Sequence, residues 1–186
     1  PGYGTAAETA ATLVPDVIET FQDTSFPAIF IGSALYAMGS IEPAYELLEE
    51  ETERNPENTA VWMALIDLYR RGGRGLEALD AYQEAIEVGA ANVAIYRSYA
   101  MLLGLLEADE RVIDNYVLIN PREYDSNPLT WEAIAAYEAA LEMEPDNVEV
   151  LQLLCTQLID VEATDELWPL FARLIQADDT GESVRT

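Results

Sequence analysis

The sequence predicts an all-α solenoid of antiparallel helix pairs, and three observations carry that reading. Apolar residues recur at spacings of three and four, which places them on one face of an α-helix. The turn phrase Asn55-Pro56-Glu57-Asn58 returns as Glu144-Pro145-Asp146-Asn147 and, more faintly, as Gly89-Ala90-Ala91-Asn92. Aligned on those phrases, the chain repeats every 34 residues, with one interruption.

The elements follow in order. The opening Pro-Gly-Tyr-Gly-Thr-Ala-Ala stretch reads as a linker. The chain starts at Pro1 and not at Met, as a processed product or a fragment does, and either a cytoplasmic or an exported location fits. No signal peptide is expected within residues 1–186. Residues 8–22 carry Leu13, Val14, Val17, Ile18 and Phe21 at helical spacing, so 1–24 is expected to hold a linker and a short capping helix after Pro15; a plain linker is the alternative.

Four repeats are expected at 25–58, 59–92, 93–147 and 148–181. Asn58, Asn92 and Asn147 each precede an apolar run, and Asn is a strong N-cap because its side-chain oxygen accepts an orphan N–H of the first turn. Equivalent positions of the four first helices hold Ala28, Trp62, Tyr96 and Leu151, then Ile31, Leu65, Tyr99 and Leu154, then Leu35, Tyr69, Leu103 and Leu158. The second helices align Ala44, Ala78, Ala133 and Leu167; Leu48, Tyr82, Tyr137 and Phe171; and Glu51, Ala85, Ala140 and Leu174. These are read as packing positions, small where two helices approach and large where space must be filled. Gly39 and Gly73 fall where the chain turns between the helices of a pair.

The third repeat is 55 residues long, so it contains an insertion of 21, about 107–129. Val112, Ile113, Tyr116, Val117, Leu118 and Ile119 suggest a short helix, with an extended strand as the alternative. The stretch 120–128 is rich in turn formers. Pro169 lacks an N–H, so the last helix is expected to start near it or kink there. Residues from Ala177 onward read as a polar, acidic end, with 182–186 as its tail.

Composition excludes several functions. The chain has 35 Asp and Glu against 9 basic residues, all Arg, and a net charge of -26. Phosphate recognition relies on cationic side chains, so no nucleic acid partner is expected, nor an anionic lipid surface. The acidic bias fits a basic or neutral partner, or adaptation to salt. Thr24 to Ile41 carries no charge, but Pro27, Gly32, Gly39 and three serines break it up, and no direct membrane insertion is expected. With no His, imidazole-based catalysis is absent. The single Cys155 sits at a packing position and reads as an inert thiol. The run Glu49-Glu50-Glu51-Thr52-Glu53 reads as a solvated helix face, since consecutive residues point in different directions. No enzyme activity, cofactor or metal site is expected.

The register resembles that of the tetratricopeptide repeat family, whose pattern is W-x2-L-G-x2-Y…A-x3-F…A…P. The second repeat answers with Trp62, Leu65, Ile66, Tyr69, Ala78, Tyr82 and Ala85; the third answers with Tyr96, Tyr99, Ala100, Ala133, Tyr137, Ala140 and Pro145. Ile66 and Leu167 are bulkier than the family pattern, and Glu51 puts a charge at a packing position. The resemblance implies a right-handed superhelix of antiparallel helix pairs with a concave groove lined by first helices. Transferred residue by residue, that lining is Phe26, Ile29, Phe30, Ser33 and Tyr36; Met63, Asp67 and Arg70; Arg97, Met101 and Leu105; and Gln152. It lacks the cationic carboxylate clamp of the chaperone-binding members. An apolar, aromatic groove with methionines suits an apolar peptide or amphipathic helix, with Arg70 and Arg97 available to acidic groups on it. The alternative is that Phe26 and Phe30 pack under the N-terminal segment. The expected function is thus a protein–protein interaction scaffold, part of a complex. The rival reading is a structural subunit of a larger assembly, membrane-associated or not, docked through the insertion and the exposed ends.

Overall fold

The computed structural model describes residues 25–106 and 128–183, with backbone alone for 128, 164 and 178–183. The expected capping helix in 8–22 and the insertion residues 107–127 lie outside them. The described residues are helical throughout, in eight helices without a strand. The chain divides between Ala91 and Asn92 into two compact units.

The first unit contains α1 (Phe26–Ala37), α2 (Ile41–Arg54), α3 (Thr59–Arg71) and α4 (Gly75–Glu87). Helix α1 packs on α2, α2 on α3 and α3 on α4, and α1 also reaches α3. Asn58 accepts the Ala60 N–H at 3.0 Å, capping α3, while its amide donates to Ser25 Oγ at 2.9 Å. One side chain thereby starts α3 and holds the beginning of α1 beside it. The preceding turn is pinned by Trp62, whose Nε1–H donates to the Pro56 carbonyl at 2.7 Å.

Packing follows the small-and-large pattern. Leu48 is fully buried, and a Cβ built on Gly32 would lie 3.0 Å from Leu48 Cγ, so the helices touch at that glycine. Each such leucine contributes about 1.5–3 kcal/mol by leaving water. Ile66, despite its bulk, is buried as well. Glu51 is only 4 % exposed. It pairs with Arg54 and accepts the Asn55 amide at 2.7 Å, which satisfies its oxygens at a position where the other second helices carry Ala or Leu. Gly39 and Gly73 have φ of 83° and 70°, in the left-handed region that L-residues avoid. Each ends one helix so that the next can turn back.

The second unit contains α5 (Val93–Leu106), α6 (Pro128–Met143), α7 (Val148–Asp160) and α8 (Thr164–Ser183), packed α5 on α6, α6 on α7 and α7 on α8. Asn92 Oδ1 accepts the Ile95 N–H at 3.0 Å, and Asn147 Oδ1 accepts the Val150 N–H at 3.1 Å. Tyr99, Leu103, Ala133, Tyr137, Leu151, Leu154 and Leu158 form the core.

Four expectations need correction here. Helix α6 begins at Pro128, so Pro128 and Leu129, read as the end of the insertion, form its first turn. Proline suits that place because its missing N–H has no partner in a first turn anyway. Helix α8 starts at Thr164, five residues before Pro169, which lies inside it. Its missing N–H leaves the Asp165 carbonyl, in the exposed first turn, without the usual helical donor. Helix α8 also continues through Ser183, into the residues from Ala177 onward read as a polar end. Finally, Phe171 was assigned to packing but is 39 % exposed, whereas its counterparts Leu48, Tyr82 and Tyr137 are buried. No described helix covers that face of α8.

Candidate interaction surface

On the first unit, α1 displays the aromatic residues expected of a binding face. Phe26 is 73 % exposed and Phe30 66 %, one helical turn apart, with stacked rings 6.5 Å between centroids. Ser33 is exposed on the same helix, Ile29 is half-buried, and Tyr36 turns its half-buried ring edge-on to Tyr45 at 6.3 Å. The neighbouring α3 adds exposed Met63. Half-buried Asp67 is paired with Arg71 at 2.7 Å. Arg70 is exposed and makes no ion pair with a described residue.

The second unit carries the other expected residues. Met101 and Leu105 are exposed on α5, and Gln152 is exposed on α7. Arg97 is engaged within the unit: its Nη1 pairs with Glu149 across α5 and α7. Its Nε is buried without a hydrogen-bond partner among the described residues. Of the two arginines expected to meet a ligand, Arg70 is therefore the one without an ion pair among the described residues.

Two features escaped sequence reading. Arg74 lies over the rings of Tyr45 and Tyr69, 4.6 and 5.2 Å from their centroids, with the two rings stacked 4.9 Å apart. It also bonds Glu77 at 2.7 Å, holding the Glu77 carboxyl below the usual range. Beside this stack, Glu49, Glu53, Glu77, Asp80 and Glu84 line a cleft of about 340 Å³ with Trp62 and Tyr69. Burial, then the Glu77 charge, pushes the Asp80 carboxyl up; burial, then the bond to Glu49, pushes the Tyr69 phenol up. No sequence signal marks Arg74, because its partners come from three helices.

Cys155 is buried, and burial raises its thiol, which disfavours the reactive thiolate. Among the described residues no group of three acidic or thiol side chains is placed to hold a metal ion, and no helix is long and apolar enough to cross a membrane.

Stacked antiparallel helix pairs, with Asn caps on three of the four first helices and small contact residues, define a helical-repeat scaffold. Residues 31–93 match the model of the tetratricopeptide repeat. The fold is similar to a crystal structure of MamA, with a TM-score of 0.61 at 14 % identity, covering 98 % of this chain and 99 % of that one. A second MamA structure gives 0.62 at 14 % identity, covering 95 % and 85 %, and a third gives 0.56 at 18 %, covering 94 % and 88 %. No curated relative matches the sequence itself. Residues 31–93 thus carry tetratricopeptide repeats within an all-helical repeat fold, and repeats of this type are protein–protein interaction scaffolds.

Proposed function

We propose that the face formed by α1 and α3 binds an apolar or amphipathic helix, or a short apolar peptide, of another protein. The observation that carries this reading is the exposed Phe26–Phe30 stack beside Met63. Two phenyl rings stacked in water on one helix face are costly, and a peptide seam with anchors at i and i+3 or i+4 covers such a pair. Met63 adapts its shape to what it meets. Arg70, free of ion pairs among the described residues, supports an acidic group on the ligand. On the second unit, Met101 and Leu105 support a similar apolar contact, with Arg97 serving as a strut to Glu149.

The test is affinity capture from native lysate with the wild-type chain, Phe30→Glu and Met101→Glu, quantified by mass spectrometry. A partner that binds the face disappears with Phe30→Glu, while deletion of 107–127 leaves it bound. A partner retained by both point variants and lost with the deletion overturns the reading in favour of docking through the insertion.

A further inference from the structure

We propose that the outer face of α8 is a second docking surface, which receives an amphipathic helix with a basic flank as a further helix of the stack. The second unit contains its own precedent. At the register position of Phe171, α6 carries Tyr137, which is 2 % exposed beneath the neighbouring helices. One of those helices, α7, buries Val150, Leu151, Leu154 and Leu158, an apolar face with helical spacing. Helix α8 repeats the α6 position without a described counterpart to α7. Its Trp168 is 73 % exposed, Phe171 39 % and Ile175 58 %, and their spacings of three and four align them in one stripe. The surface therefore has the geometry of a packing face, and α7 shows the seam that fits it.

Charge selects the occupant. Asp165 and Glu166 are exposed in the first turn of α8. On the side of α8 that meets α6 and α7, Glu138 and Glu142 line a cleft with Leu170 and Arg173. Burial, then the Glu166 and Glu142 charges, pushes the Glu138 carboxyl up, so this end of the unit already repels added negative charge. Arg173 donates to the Pro145 carbonyl and is directed inward. A second copy of the chain would bring another net charge of -26. Packed helices lie about 8–10 Å apart, close to the Debye length of about 8 Å at physiological salt, so that repulsion is only partly screened at the contact. A helix with Lys or Arg beside its apolar seam meets the same field as attraction. This surface lies on a different helix from Phe26 and Phe30, and the inference stands whether or not the α1 face binds.

The probe is a pair of synthetic helical peptides of about 18 residues, five turns. Both carry the same Leu/Ile seam; one is flanked by Lys and the other by Glu. Binding to the full chain is read by fluorescence anisotropy of the labelled peptide and by tryptophan emission. Trp168 is the most exposed of the three tryptophans, so covering it shifts emission to the blue. The Lys peptide is expected to bind at least ~10-fold more tightly than the Glu peptide, with the advantage shrinking in high salt. Trp168→Gln and Ile175→Gln are each expected to weaken it ~10-fold, as loss of an anchor does, and Phe30→Glu to leave it unchanged. Because both side chains are largely in water, melting curves of these variants should match wild type. The inference is overturned if neither peptide binds, if both bind equally, or if the α8 variants have no effect. A loss with Phe30→Glu instead assigns the peptide to α1. Self-association in sedimentation that disappears with Trp168→Gln assigns the face to a second copy and overturns the basic-helix occupant.

Discussion

Glu162 stands at the turn of the fourth repeat, in register with Gly39 and Gly73, and its φ is 58°. A side chain there crowds its own backbone, which costs about 1–2 kcal/mol. Glycine removes that strain but makes the unfolded chain freer by about 0.4–1 kcal/mol. Glu162→Gly is therefore expected to stabilise the second unit by about 0.5–1 kcal/mol, roughly 1–4 °C in Tm for a chain of this size. The reciprocal change gives the control. A Cβ on Gly73 meets nothing within 4 Å, so Gly73→Ala tests backbone conformation without a clash. It should destabilise the first unit by a similar amount. Urea unfolding followed by circular dichroism at constant slope measures both. Opposite signs support the reasoning. Equal signs, or a neutral Gly73→Ala, would refute it, because the shared turn conformation would then carry no strain.

Two further predictions concern charge. Arg54→Ala leaves the buried Glu51 carboxylate with only Asn55 and should cost about 1–3 kcal/mol, whereas Glu51→Ala, which restores the alanine found in the second and third repeats, should be close to neutral; denaturant midpoints distinguish them. Asp80 and Glu138 have raised carboxyls, so the folded chain holds their protons more tightly than the unfolded chain. The stability they add is complete below the ordinary carboxylate range and lost as pH rises through their raised values. Asp80→Asn and Glu138→Gln should accordingly each stabilise at pH 7 by a few tenths of a kcal/mol, screened as exposed groups are, and lose that gain in acid. Glu77, lowered by Arg74, carries the opposite sign: its contribution is present at neutral pH and disappears on acidification, so Glu77→Gln should destabilise at pH 7. Thermal melts across pH 3–7 read all three.

The all-helical repeat was legible in the sequence because its determinants are local. Asn58, Asn92 and Asn147 cap the helices that follow them, and an N-cap bond spans only two or three residues. Helical spacing identified the buried faces, and Gly39 and Gly73 marked turns through a backbone requirement that needs no neighbour. Phe26, Phe30 and Met63 were legible as surface residues for the same reason: the repeat register assigns each position to an inner or an outer face.

Tertiary structure decided what depends on partners distant in sequence. Arg97 read as a free cation, yet Glu149 neutralises it across 52 residues; Glu51 read as a disrupted contact, yet Arg54 and Asn55 satisfy it in place. Phe171 occupies a packing position by register, but burial requires a neighbouring helix, and none of the described residues supplies one. The sequence by itself determined the repeat, its caps and the aromatic character of α1, because propensity and periodicity act over a few residues. Which charges are paired and which apolar face of α8 is open followed only from packing, because electrostatic pairing and burial depend on what the fold brings alongside.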